Sequence, residues 1–229
     1  LASGKVLGVE ALIRWRLDDG SFVPPDRFIP LAERSGLIVA IGEFVLRTAC
    51  LQFVRWHSEL GALAPRHLAV NLSRAQLKRG DIVHEVRDLL QETAMRPEQL
   101  QLEITESLAA QDEQVQATLR GLKSLGVKLA LDDFGTGYSS LACLHQMPVD
   151  TVKVDRSFVR HAETVEYHRV LIEATIRVAR ALGMTTVAEG IETEGQAALM
   201  LALECDRGQG FLYARPLEAA DYEAWVQQE

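Results

Sequence analysis

The chain reads as an α/β protein whose parallel strands close into a (β/α) barrel, one domain spanning residues 1–229. Three observations lead there. Short runs rich in apolar and β-branched residues alternate with longer stretches of helical period, the order of parallel βα units. Several of the short runs lack strict alternation, as strands covered on both faces do. Seven such runs with helices between them fit into 229 residues, against the ~250 residues and eight strands typical of a barrel. An open doubly wound sheet shares this order, but its usual mark, G-x-G-x-x-G after the first strand, is absent. The shortfall of one strand leads us to expect a missing first element, and so a fragment of a longer protein.

In chain order the strand runs are Val6–Trp15, His67–Leu72, Leu100–Thr105, Val127–Leu131, Thr151–Val154, Thr185–Ala188 and, more weakly, Gly208–Leu212. Helical stretches fall between them. Gly42–Leu60 carries Phe44, Val45, Ala49, Val54 and Trp56 in a largely apolar pattern. Asp81–Thr93 opens on a helix-capping Asp and repeats Ile82, Val86, Leu89 and Leu90 on one face. Ala109–Leu125 carries Val115, Leu119 and Leu122 and stops at Gly126; Val165–Leu182 carries Val170, Leu171, Ala174 and Val178 and stops at Gly183. Glu194–Leu203 and Ala219–Gln227 close the chain.

Composition narrows the function. There are 24 basic and 32 acidic residues, a net charge of −8, and the pI is near 5.3. A general duplex-nucleic-acid binder is basic, so that class is set aside. An acidic chain that handles a phosphate diester must import positive charge, and metal ions are the obvious bridge. Cys50, Cys143 and Cys205 are scattered and lack C-x-x-C spacing, which points to a reducing, cytoplasmic setting and no zinc cluster. No apolar run approaches the ~18 residues of a membrane span. The domain itself is expected to make no membrane contact, although it could belong to a membrane-anchored protein.

The stretch LDDFGTGYSS, Leu131 to Ser140, puts two carboxylates where an apolar run ends. The DFG triplet alone does not make a kinase, because no Gly-rich G-x-G-x-x-G loop and no H-R-D catalytic loop accompany it. A (β/α) barrel gathers its chemistry at the C-terminal ends of its strands, so those ends are informative together. They carry Glu10 with Arg14, then Asn71, Glu103 with Glu106, Asp132 with Asp133, Lys153 with Asp155, Glu189 with Glu192, and Gln209. Singly, each has an ordinary structural reading: Asn71 in a turn, Lys153 snorkelling, Glu189 opening a loop. Jointly, Glu10, Glu103, Asp132, Asp133 and Glu189 set five carboxylates against one lysine and one arginine. Buried charge must be paired or hold metal, so this surplus calls for cations. The six histidines are dispersed, and an oxygen-only donor set favours Mg²⁺ or Mn²⁺ over zinc. Adjacent Asp132 and Asp133 could share two ions, a device suited to in-line phosphoryl displacement. The Gly135-Thr136-Gly137 turn would let a mobile loop pack near the site.

EALIRW from Glu10, PPDRFIPLAERSGLI, VNLS, LEITES, LALDDFGTGYSSL, VDTVKVDRSFV, VAEGIET and QGFLYARP occur in that order along the chain. In this set and spacing the sequence resembles the EAL-domain family of bacterial cyclic di-GMP phosphodiesterases over essentially its whole length. The resemblance implies a modified TIM (β/α)8 barrel with an antiparallel first strand, and hydrolysis of cyclic di-GMP to linear pGpG with two Mg²⁺ or Mn²⁺ ions, poorly supported by Ca²⁺. It implies Glu10, Asn71, Glu103 and Asp132 as ligands of one metal, and Asp132 with Asp133 as ligands of the other. Lys153 would hold the nucleophilic water. Glu189 would be general base or a water-mediated ligand, and Gln209 would lie near the catalytic water. Arg14 would contact phosphate, Glu106 would anchor the loop Phe134–Ser140, and Asp155 and Glu192 would support the site. A homodimer is also implied. Relatives that act as cyclic di-GMP receptors or interaction modules tend to lose the first Glu, one of the paired Asp residues or the loop sequence; all are present here, so the enzyme is the reading and the receptor its alternative. Two departures stand out: the Tyr-Gln-Pro-like strand that precedes this start in the family is absent, and Glu204 replaces a usual Gly.

Overall fold

The structure, a computed structural model, describes residues 1–79, 81–106, 113–136 and 141–228, with backbone alone at 142 and 143. Residues 107 and 108 of the LEITES region, 109–112 of the expected helix and 137–140 of the glycine-spaced loop lie outside the described residues.

Seven strands form one sheet: β1 (Gly8–Ala11), β4 (His67–Asn71), β5 (Leu100–Thr105), β6 (Lys128–Phe134), β7 (Thr151–Val154), β8 (Thr185–Ala188) and β9 (Arg207–Gly208), neighbours in that order. Every pairing among them is parallel. The antiparallel strand of the family pattern is not among the described residues. The sheet's edges, β1 and β9, do not pair. Side chains nonetheless join across the seam: Gln209 Nε2 donates to Glu10 Oε2 at 2.6 Å and Arg207 Nη1 lies 3.3 Å from His67 Nε2. The sheet is therefore curled most of the way into a barrel.

Alternation along each strand separates two environments. Leu68, Val70, Leu100, Leu102, Ile104, Leu129, Leu131 and Val152 are buried and face the helices, joined in one apolar cluster with Leu46, Cys50 and Phe53 of α2 (Ile38–Leu60). Val86, Leu89 and Leu90 of α4 (Ile82–Thr93) and Val115, Leu119 and Leu122 of α5 (Glu113–Ser124) complete it. Burial pushes the Cys50 thiol up to about 12, so this cysteine fills space and does no thiolate chemistry. A second cluster joins β7 and β8 to α7 (Glu166–Ala181) and α8 (Glu194–Ala202) through Val154, Ala188, Ile172, Ile176 and Met200. The opposite parity, Glu10, Ala69, Asn71, Gln101, Glu103, Ala130, Thr151 and Lys153, turns towards the barrel interior. Small Ala69 and Ala130 there leave room for the long charged side chains.

Several elements differ from the sequence expectation. The run Val6–Trp15 is broken: β1 ends at Ala11, and β2 (Trp15–Arg16) pairs antiparallel with β3 (Phe22–Val23) in a separate ladder. A helix not expected, α1 (Pro25–Ser35), starts on Pro25 and ends at Gly36, whose φ of 77° makes the left-handed cap. The short α3 (Arg74–Arg79) and α6 (Arg156–Val159) also went unpredicted, and α9 (Ala219–Val226) packs on α2 through Tyr222 and Trp56.

Glu204, the departure from the family's Gly, sits after α8 with φ 62°. Its side chain meets Arg180 Nη1, and its carbonyl accepts from Arg180 Nη2 at 2.8 Å. Left-handed backbone is costly for a residue with a Cβ, and an exposed ion pair returns little. Glu204→Gly is expected to raise the melting temperature by ~1–2 °C in a thermal melt. A fall would mean that the Arg180 contacts outweigh the backbone cost.

Candidate active site

The C-terminal ends of the strands converge on one buried ammonium. Lys153 of β7 is 2% exposed, and its Nζ lies 2.7 Å from Glu103 Oε2, 2.8 Å from Glu189 Oε1, 3.1 Å from Asp132 Oδ1 and 3.7 Å from Glu10 Oε2. Four carboxylates from β1, β5, β6 and the β8 exit thus surround one cation. Neutral amides complete the ring: Asn71 Nδ2 donates to Glu10 Oε1 at 2.7 Å, and Gln209 Nε2 takes the other oxygen. The expected ligand set Glu10, Asn71, Glu103 and Asp132 is therefore assembled around Lys153 and its partner Glu10, while among the described residues Asp132, Asp133 and Glu189 bring ligand atoms within 4.8 Å of one another.

A bulge explains how adjacent Asp132 and Asp133 join one cluster. In a regular strand they would face opposite sides of the sheet. The β6–β7 register shifts between Leu131 and Phe134, and Asp133 takes φ 54°. Such a bulge re-aims side chains, and Asp is among the few residues that tolerate this backbone. Behind it, Glu106 Oε2 accepts from the Gly135 amide at 2.9 Å. A side chain at Gly135, whose φ is 100°, would come within 2.8 Å of the Phe158 ring. Asp155 is held by Ser157, whose amide it accepts at 2.9 Å to cap α6, and it faces Asp133. Arg14 stands exposed on the rim, donating to the Ile13 carbonyl at 2.9 Å. Glu192 is also exposed, and its backbone amide donates to Gln196 Oε1 at 2.7 Å.

Sequence reasoning passed over Gln101, one step deeper on β5. It is buried and its Nε2 donates to Glu103 Oε1 at 3.1 Å. The signal was available: Gln101 and Glu103 are the inward-parity residues of an otherwise apolar strand. A cleft of about 900 Å³ opens beside the ring along the seam between β1 and β9, lined by Glu10, Arg14, Glu103, Lys153, Gln209 and Arg215 on the polar side and by Val9, Phe44 and Trp56 on the apolar side.

Electrostatics follow from burial and crowding. Burial first, then the neighbouring Glu10 and Asp132, push the Glu103 carboxyl up to about 7 against the pull of Lys153. Burial likewise lifts Glu189 to about 8, again against Lys153 and with Asp132 adding to it. Asp133 is raised by burial and by Asp132 and Asp155. Burial alone would lower Lys153, but the surrounding carboxylates outweigh it and raise it. One ammonium does not neutralise this group. Asp132 Oδ1 is buried, close to Lys153 yet aligned with no hydrogen-bond donor. The donors are all oxygens, and the Asn71 amide nitrogen, not its oxygen, is the atom bonded to Glu10. This set fits hard divalent cations such as Mg²⁺ or Mn²⁺.

The raised carboxyls make a pH prediction. Folded Glu103 and Glu189, at about 7 and about 8, hold protons that the unfolded chain releases. The stabilisation this gives is complete below the unfolded value of ~4.3 and is lost as pH rises through the folded values. His67, pushed down to about 4 by burial and Arg207, acts in the opposite sense only below ~6.5. Above that, the metal-free melting temperature should fall towards about pH 8.5, and saturating Mn²⁺ should oppose the fall because the cation takes the place of the protons. Scanning fluorimetry across that range checks it; a rising metal-free curve would contradict it.

The model of the EAL domain matches residues 1–216 of this sequence. The chain belongs to the EAL-domain family. Among similar proteins, MucR of Pseudomonas aeruginosa, named a bifunctional diguanylate cyclase/cyclic di-GMP phosphodiesterase, is 40% identical over 218 residues, 95% of this chain and 32% of MucR. NbdA of the same organism, named a cyclic di-GMP phosphodiesterase, is 40% identical over 227 residues, 99% of this chain and 29% of NbdA. This EAL chain therefore spans about a third or less of these relatives. The solved MucR phosphodiesterase in complex with c-di-GMP superposes with a TM-score of 0.88 at 40% identity, covering 94% of this chain and 87% of that one. Klebsiella pneumoniae BlrP1, solved with manganese and cyclic di-GMP, gives 0.76 at 30% identity, covering 90% and 50%. Among the described residues of this EAL domain, no helix is long and apolar enough to cross a membrane.

Proposed function

We propose that this EAL domain hydrolyses one phosphodiester of cyclic di-GMP to linear pGpG in a divalent-cation-dependent reaction. The observation that carries the reading is the convergence of Glu10, Glu103, Asp132 and Glu189 on the single buried ammonium of Lys153, with Asp133 turned in beside them. The names of MucR and NbdA support the substrate, and the manganese complex of BlrP1 supports the cation. Glu10, Asn71, Glu103 and Asp132 would hold one ion, and Asp132 and Asp133 the other. Mg²⁺ or Mn²⁺ bound there supplies charge to the phosphoryl oxygens and lowers the pKa of the attacking water.

The chain's own residues set the rest. The Lys153 ammonium donates to Glu103 Oε2 at 2.7 Å and lies within ion-pair distance of Glu189 and Asp132, and one of its N–H bonds would turn to hold the water. Glu189, lifted towards neutrality, is suited either to take a proton from that water or to remain an oxygen ligand. Gln209 fixes Glu10 from across the seam, and Arg14 at the rim would meet a phosphate with its planar fork. Water adds across the scissile P–O bond, its oxygen joining phosphorus and a proton ending on the departing 3′ oxygen. The homodimer belongs to the same reading, and light scattering checks it.

Incubating the domain with cyclic di-GMP and Mn²⁺ or Mg²⁺ is expected to yield pGpG on chromatography. Ca²⁺ should support at least ~10-fold less product, because its longer bonds and looser geometry misplace the nucleophile. Tight binding without pGpG would replace the enzyme with a receptor, and equal rates with Ca²⁺ would remove the geometric argument.

A further inference from the structure

Beneath the acidic ring lies a second polar layer that the mechanism above does not use. Gln101 and Thr151 are 7% and 3% exposed, on neighbouring strands once β6 is spanned, and both point into the barrel interior. Gln101 Nε2 donates to Glu103 Oε1 at 3.1 Å, and Thr151 Oγ1 donates to Gln101 Oε1 at 3.3 Å. Glu103 Oε2 is meanwhile taken by Lys153 at 2.7 Å. Each oxygen of Glu103 thus has its own donor, one charged from beside and one neutral from below.

We propose that Gln101 is a positioning residue for this centre, holding Glu103 in the orientation in which it ligates a divalent cation, with Thr151 fixing the Gln101 amide. The inference rests on the reading of the ring as a metal centre. Two physical points carry it. A carboxylate that is 1% exposed meets little bulk solvent, so its rotation is set largely by the donors around it, here Lys153 and Gln101. A neutral amide does this without adding a second cation: a lysine or arginine at 101 would cancel the negative surplus that draws metal, and an apolar residue would leave Glu103 Oε1 without its donor. Partners that orient ligating carboxylates typically change metal affinity or activity by 10–100-fold.

The test measures Mn²⁺ binding by calorimetry, without substrate, alongside turnover. Gln101→Met keeps volume and removes the donor; it should weaken Mn²⁺ binding by ~10-fold or more. Because Gln101 acts through the carboxylate of Glu103, kcat at a fixed subsaturating Mn²⁺ concentration should fall by a larger factor than KM for cyclic di-GMP changes. Thr151→Val should move in the same direction by a smaller factor, and Thr151→Ser, which keeps the hydroxyl, should restore wild-type affinity. If Gln101→Met does not fold, the Thr151 pair decides alone. Wild-type affinity in Gln101→Met, or equal affinities in Thr151→Val and Thr151→Ser, would overturn the inference while leaving the phosphodiesterase reading intact. A wild-type chain that binds no Mn²⁺ would overturn both.

Discussion

Lys153→Met is expected to cost about 3–5 kcal/mol of stability in EDTA near pH 8, the range for breaking a buried ionic group by removing one partner, and to lower turnover by ~10²–10³. The arithmetic is asymmetric. Burying the ammonium is itself unfavourable, so a lysine in a barrel does not stabilise by being there. Once it is removed, Glu103 at 1% exposure and its three carboxylate neighbours face one another with no cation among them. They can escape part of the penalty by taking up protons, which Glu103 and Glu189 are already disposed to do at about 7 and about 8. The loss should therefore be smaller at pH 6 than at pH 8. Saturating Mn²⁺ should restore much of the stability and little of the turnover, because the cation replaces the charge of Lys153 but not its hold on the water. Urea denaturation at the two pH values, with and without Mn²⁺, separates these effects. A variant as stable as wild type at pH 8 in EDTA would show that the carboxylates around Lys153 do not carry the surplus of negative charge argued above.

Much of this arrangement was legible in the sequence because two signals coincide. Strand runs without alternation mark a sheet covered on both sides, and one polar residue at the end of each run marks the open mouth. That rule, together with the family resemblance, singled out Glu10, Asn71, Glu103, Asp132, Lys153, Glu189 and Gln209, and Lys153 or its direct partners touch them. The rest depends on information that a linear pattern does not carry. α1 was hidden because Pro30 interrupts its interior, although Pro25 and Gly36 mark its ends. Gln101 was missed because only strand exits were read for chemistry, while the alternation runs further down. The bulge in β6 is a tertiary feature: nothing local distinguishes two aspartates on opposite faces of a strand from two drawn to one side.

That last distinction gives the sharpest test of the centre. Asp133→Asn should leave the fold intact and lower turnover by more than ~10², since loss of a mere supporting partner already costs 10–100-fold and Asp133 would be a direct ligand. Asparagine is, with aspartate, among the few side chains at ease with positive φ, so the 54° backbone at this position survives and only the charge is lost. Asp133→Ala removes the charge and keeps a Cβ that has no local hydrogen bond to offer; it should lose the same turnover and a further ~1 kcal/mol of stability. Asp133→Gly should lose the turnover with the left-handed strain relieved. The metal-free chain adds a counter-current, because Asp133 is raised by burial and by Asp132 and Asp155; neutralising it relieves repulsion, so Asp133→Asn should be no less stable than wild type in EDTA and should gain less from Mn²⁺. If the asparagine variant instead turns over cyclic di-GMP normally, the carboxylate at 133 serves only to shape the bulge, and the second cation would have to be held by Asp132 and Glu189 without it.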